Sequence, residues 1–293
     1  MKTILTNFLI LLIMTQIGTL KAQNTLHFYQ TNWGNTASWD AFCEKAKASG
    51  YDGIEVWTPR SEEEQAALKK AIEKHQLRLV LMCGTANQLS KSERIAQYTN
   101  DLKTALAWKP DLINSHTGSE FFTVEENLEY IRIAEGLSKT ANIPIYHETH
   151  RGRFSYSLLN CLEHVAAEDQ LRLTLDISHW MVVHESLLEG RDALLEPIID
   201  KTRHIHARIG YQEGPQVNDP NAPEWKAAVD RHLDIWEAII KARWEAQQPI
   251  TVTTEFGPPH YMPALPYTQM PVSDQWKANT YMMQRIKERL GLK

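Results

Sequence analysis

A chain of 293 residues with a formal net charge of −5 is long enough for one large α/β domain or two small ones. No basic stripe accompanies this acidic balance, which argues against nucleic acid or an anionic membrane as the main partner. The three cysteines, Cys43, Cys83 and Cys161, are odd in number and far apart, so they read as buried thiols and not as a disulfide or zinc framework.

Residues 1–23 read as a secretory signal peptide. Lys2 supplies the positive start, Ile4 to Ile17 a mostly apolar core, and Thr19 to Gln23 an acceptable cleavage region. The run is interrupted by Thr6, Asn7, Thr15 and Gln16, whereas a spanning helix needs ~20 mostly apolar residues. The expectation is an exported protein, periplasmic or secreted, with no membrane partner after cleavage. The mature domain is then 24–293.

Eight strand-like segments follow, each succeeded by a helical pattern. The strand-like segments are 26–33, 51–57, 77–83, 112–116, 144–152, 171–178, 203–209 and 250–256. Ser38, Ser61, Ser90 and Thr123 mark helix starts, and Gly50 a helix stop. The remaining helices are expected at 155–167, 193–201, 222–247 and 273–290. Strict βα alternation without a Gly/Ser linker predicts a single (β/α)8 TIM barrel; a doubly wound open sheet is the runner-up. No glycine-rich phosphate-binding fingerprint follows any strand.

In a barrel of this kind the chemistry sits at the C-terminal ends of the strands. Those ends carry Glu55, His116, Glu148 with His150, Asp176, His206 with Arg208, and Glu255. Alternation puts His204, His206 and Arg208 on one face of the seventh strand and Ile205, Ala207 and Ile209 on the other. The polar set therefore points inward. Glu148, Asp176, His206 and Glu255 on successive strands would crowd three carboxylates together, a conflict that a divalent cation relieves. Three carboxylates and an imidazole suit manganese, magnesium or cobalt better than structural zinc.

The order and placement of these residues resemble the xylose isomerase-like barrel superfamily, in particular its sugar isomerase and epimerase branch, which includes ketose 3-epimerases. The match extends to Asp176-Ile-Ser-His179 and to the His204–His206 pair. The resemblance implies one divalent metal on Glu148, Asp176, His206 and Glu255, with Glu148 and Glu255 doubling as the acid/base pair. It also implies that His179 and Arg208 hold substrate oxygens. Such a site abstracts a proton next to the carbonyl of a sugar, giving epimerisation or isomerisation through an enediolate. Export points to an unphosphorylated carbohydrate. The same first step can instead end in elimination or hydration of a 3-keto-glycoside, and a non-catalytic carbohydrate-binding barrel or a barrel endonuclease are the readings from other classes.

His116, His150, Arg151, Glu55 and Trp180 are further substrate-facing candidates, and Trp33, Trp57 and Trp180 are placed to stack on a sugar ring. Met181, Val182 and Val183 are assigned to the core, and His164, His232 and His260 to no function. The long loops 210–223 and 257–271 are expected to shape the pocket. Homo-oligomers remain compatible with the sequence.

Overall fold

The computed structural model describes residues 25–86 and 89–292; the expected signal peptide lies outside them. Eight parallel strands close into a barrel in chain order, with β1 (Leu26–Thr31) pairing both β2 (Gly53–Trp57) and β8 (Ile250–Thr254). Between them lie β3 (Arg78–Gly84), β4 (Leu112–His116), β5 (Ile145–Glu148), β6 (Leu173–Leu175) and β7 (Thr202–Ala207). The outer helices are α1 (Trp39–Ala48), α2 (Glu62–His75), α3 (Lys91–Leu106), α4 (Val124–Ala141), α5 (Leu158–Ala167), α6 (Ser178–Val183), α7 (Asp192–Lys201), α8 (Lys226–Glu245) and α9 (Gln275–Arg289). No helix among the described residues is long and apolar enough to cross a membrane.

The helices begin where side chains capture free backbone amides. Ser38, Ser61 and Thr123 accept from the N–H groups of Ala41, Glu64 and Glu126, and capping boxes pair Ser90 with Glu93 and Thr123 with Glu126. Each such cap stabilises its helix by about 0.5–2 kcal/mol.

Alternation along the strands divides two environments. Ile54, Val56, Leu79, Leu81, Cys83, Ile205, Ala207 and Val252 face outward into the main core beneath the helices, where each large apolar side chain contributes about 1.5–3 kcal/mol on burial. Inside the barrel, Tyr29, Val80 and Leu112 form a separate apolar cluster with Tyr146 packed against it. The Tyr29 hydroxyl donates to Asp111 at 2.7 Å, and Arg78 holds the same carboxylate at 2.9 Å. Because Asp111 precedes β4, this plug closes the N-terminal end and leaves the site only the opposite mouth.

Gly53 permits the close approach of β1 and β3 at this level. A Cβ there would lie 2.6 Å from the Arg78 carbonyl oxygen and from the Tyr29 ring. Gly53→Ala is expected to destabilise the barrel by about 1–3 kcal/mol, read as a lowered Tm in calorimetry; an unchanged Tm would show that the strands part without cost.

Six of the eight strands are shorter than expected, among them β1 and β6. β1 ends at Thr31, before Trp33. β6 spans Leu173–Leu175 where 171–178 was expected, because its register with β7 shifts at Leu173/Thr174 and the chain then turns into α6. The Asp176 carboxylate promotes that turn by accepting from the Ser178 amide at 3.0 Å and its hydroxyl at 2.5 Å. α6 itself has no counterpart in the sequence reading. Its Met181 is buried, but Val182 is only half-buried and Val183 is exposed, so the core assignment holds at Met181 alone.

Candidate active site

Glu148, Asp176, His206 and Glu255, from four successive strand ends, bring one donor atom each to within 4.8 Å of one another. All four residues are buried. The inward face of each strand supplies them, and chain geometry alone makes them converge.

Beneath the cluster lies Glu55. Both of its oxygens stand 3.0 Å from His206 Nε2, and Oε2 lies 3.2 Å from His204 Nε2. His204 Nδ1 in turn meets Thr251 Oγ1 at 2.6 Å. Asn114 Nδ2 donates to Glu55 at 3.0 Å and to Glu148 at 2.6 Å. With Nε2–H directed to Glu55, it is Nδ1 that faces the cluster, and its lone pair becomes available to a cation once that nitrogen gives up its proton. A carboxylate behind a histidine is the usual support of a metal-binding imidazole.

The residues fit a divalent cation. His206 Nδ1 and Glu255 Oε2 are buried without a hydrogen-bond partner, yet lie 3.0 Å apart. Nδ1 is also 3.6 Å from Glu148 Oε2. Arg208 is the nearby permanent cation: it pairs with Asp176 and approaches Glu255 at 3.4 Å. When all three carboxylates are ionised, one guanidinium leaves an excess of negative charge in a buried site, the condition that favours a bound divalent ion.

The electrostatics divide the carboxylates. Burial pushes Asp176 up to about 6, with Glu255 and Glu148 adding to the rise and Arg208 opposing it. Burial also opposes ionisation of Glu148, but His116 and His206 outweigh it and hold that carboxyl well below its usual range. His206 is raised well above an ordinary imidazole because Glu255, Glu55 and Glu148 overcome its burial. Burial, reinforced by His150 and Arg208, keeps His179 neutral.

Above the cluster is a cavity of about 180 Å³. Glu148, Glu255, His116, His150 and Arg208 line it together with Trp33, Trp57 and Tyr261. His116 Nε2 lies 2.8 Å from Glu148 Oε2, and the His116 and His150 rings sit 4.7 Å apart. Burial lowers His150 to about 3, so that imidazole is neutral. The long loops meet at this mouth. Gln216 exchanges hydrogen bonds with the Gly257 backbone at 2.8 and 3.1 Å, and Tyr261 from the same loop reaches the cavity.

Three expected substrate contacts are placed differently. Trp180 is fully buried in the main core and its indole donates to the Ser155 carbonyl at 2.8 Å, so no face is free for a sugar; the turn into α6 rotates it away from the mouth. Glu55 is fully buried under the metal-type cluster and supports His206 and His204. His179 is fully buried, with Arg208 Nη2 at 3.0 Å and Arg151 Nε at 3.1 Å. A neutral imidazole has one lone pair and accepts from only one of them. Of the two arginines, Arg208 lines the cavity.

Asn114 escaped the sequence reading, although alternation along β4 puts Leu112, Asn114 and His116 on one face and would have exposed it. Tyr261 carried no comparable signal, because its position depends on a loop. His164 and His232 are buried and bond helix carbonyls, at Asn160 and Ala228.

Comparison with known proteins agrees with this architecture. No curated protein matches the chain in sequence. Among solved structures, AP endonuclease, family 2, from Brucella melitensis is 13% identical with a TM-score of 0.60, covering 88% of this chain and 98% of its own. The 3-keto-D-glucoside 4-epimerase of E. coli is 13% identical with a TM-score of 0.59, covering 90% and 100%. The probable 3-DHS dehydratase of Bacillus anthracis is 13% identical with a TM-score of 0.56, covering 88% and 98%. At this identity the likeness establishes the fold. The family profile of the xylose isomerase-like TIM barrel matches residues 43–244. Together with the closed eight-stranded barrel, that match shows that the chain belongs to the xylose isomerase-like TIM barrel family.

Proposed function

We propose that this protein is a divalent-metal-dependent sugar isomerase or epimerase that abstracts a proton next to the carbonyl of an unphosphorylated sugar. The observation that carries the reading is that Glu148 and Glu255 belong to the four-donor cluster and also line the cavity. The cation, when bound on Glu148, Asp176, His206 and Glu255, supplies Lewis acidity toward the substrate carbonyl. One of the two cavity-lining carboxylates takes the proton, and the other returns it to a different face or atom. Arg208 faces the developing enediolate charge, and Trp33, Trp57 and Tyr261 exclude water from it. Export, read from residues 1–23, supports a free sugar over a sugar phosphate.

A second reading, elimination or hydration on a 3-keto-glycoside, is favoured by the His116–His150 pair beside Glu148. Loss of a leaving group needs an acid beyond the carboxylate that removes the first proton; His116, 2.8 Å from Glu148, is the imidazole offered for that role, while the neutral His150 packs beside it.

The test is elemental analysis of the purified protein, then incubation in deuterated water with free ketoses and 3-keto-glycosides. About one equivalent of manganese, magnesium, cobalt or zinc per chain, with deuterium entering next to the carbonyl, is expected. Epimerised product separates the first reading from released aglycone, the mark of the second. No binding on adding metal back to the chelated protein would refute both.

Metal retention should also depend on pH. Protons on Asp176 and His206 compete with the cation, so binding releases them and affinity falls as pH drops through about 6. Calorimetric manganese titrations at about pH 5 and about pH 8 should show much tighter binding at the higher value; a flat profile would exclude Asp176 as a ligand.

A further inference from the structure

The catalytic cavity, at about 180 Å³, falls below the roughly 300–1,000 Å³ typical of pockets for larger ligands. It has room for little more than one sugar ring. Trp57 and Met82 line it and also line a second cleft of about 500 Å³ that runs over the ends of β2 and β3 between α2 and α3.

Trp57 is the shared wall. It ends β2, remains 50% exposed, and meets His116 edge-on at 5.1 Å. An exposed indole at the rim of a catalytic cavity contributes little to the core, but its unpacked surface offers an apolar platform to the C–H face of a sugar. Gly84 sets its position: a Cβ there would lie 3.2 Å from His116 Cβ and 3.4 Å from the indole. The absence of that atom lets the ring stand close to the site.

Beyond Trp57 the cleft is polar. Arg60, Gln65, Gln97 and Asp101 line it. Gln65 donates to the Pro59 carbonyl at 3.2 Å and Gln97 to Asp101 at 3.5 Å. Among the described residues these bonds employ the amide nitrogens, and the amide oxygens remain to accept from hydroxyls. An aromatic platform flanked by planar polar side chains suits a carbohydrate better than an apolar aglycone.

We propose that the substrate is a glycoside of at least two sugar units, with the reacting ring over Glu148 and Glu255 and the linked sugar crossing Trp57 into the cleft bounded by Arg60 and Gln97. This deepens the proposed reading of the same site and rests on it for the identity of the reacting ring. The cleft is then a specificity subsite that touches no metal-type ligand.

The test compares binding of 3-keto-glucose and of a 3-keto-glucosyl disaccharide by calorimetry, on the wild type and on an Arg60→Ala/Gln97→Ala double variant. The wild type should bind the disaccharide about tenfold or more tighter, and the variant should lose most of that preference while keeping its affinity for the single ring. Equal affinity for both sugars in the wild type, or a preference that survives in the variant, overturns the subsite. Deuterium exchange on the same samples keeps the two readings apart. A preference for the disaccharide without exchange leaves the subsite standing and refutes proton abstraction, whereas exchange with equal affinities does the reverse.

Discussion

Glu148→Gln is expected to lower turnover by about 10²–10⁴-fold while leaving the barrel folded. The side chain is almost isosteric, so an amide still fills the space between Asn114 and His116, which stand 2.6 and 2.8 Å from the present carboxylate. What disappears is the negative charge. The cluster loses one of three carboxylates and the cavity one of the two that line it. Circular dichroism should be unchanged, deuterium entry into substrate should be nearly abolished, and the bound metal should fall in parallel. A sugar-binding barrel without catalysis would respond differently, keeping its ligand affinity and having no turnover to lose. Full exchange activity in the variant would remove Glu148 from the reaction.

Glu55→Gln should weaken metal binding by about 10–100-fold although Glu55 does not line the cavity. Both of its oxygens lie 3.0 Å from His206 Nε2, and an amide can present only one acceptor there. Its NH2 group would confront His204 or Asn114, each of which already points a nitrogen at the carboxylate. The His206 ring then keeps at most one neutral acceptor at Nε2 and loses the charge that holds the proton there in favour of Nδ1 binding. Removing a fully buried charge from between its partners also costs stability, about 3–5 kcal/mol for a broken buried pair, so the titration belongs at a temperature where circular dichroism shows the variant folded. A chelator competition with manganese measures the effect. Unchanged affinity would mean that His206 does not bind through Nδ1.

These two substitutions mark the limit of what alternation reveals. The inward placement of His206 follows from Ile205 and Ala207 needing the helices, and β7 is regular enough for the rule to hold along its length. Glu55 obeys the same rule, lying between Ile54 and Val56 on β2, but alternation specifies only the face. It does not specify height along the barrel axis, and height separates a residue in the cavity from one beneath it. That depth follows from the stagger of neighbouring strands, a property of the closed sheet.

The linear chain determined the βα alternation, the caps that start the helices, and the four strand ends that carry Glu148, Asp176, His206 and Glu255, because each rests on spacing within a few residues. It did not determine where Asp176-Ile-Ser-His179 turns. A helix begins at Ser178, which buries Trp180 in the core and sets His179 behind Arg208, since a change from strand to helix resets which side chains share a face. Tyr261 and the clefts on either side of Trp57 likewise exist only in the folded barrel, where loops and helices distant in sequence meet. The identities of the charged groups were written in the sequence; their depth, partners and access to the cavity were decided by closure of the barrel.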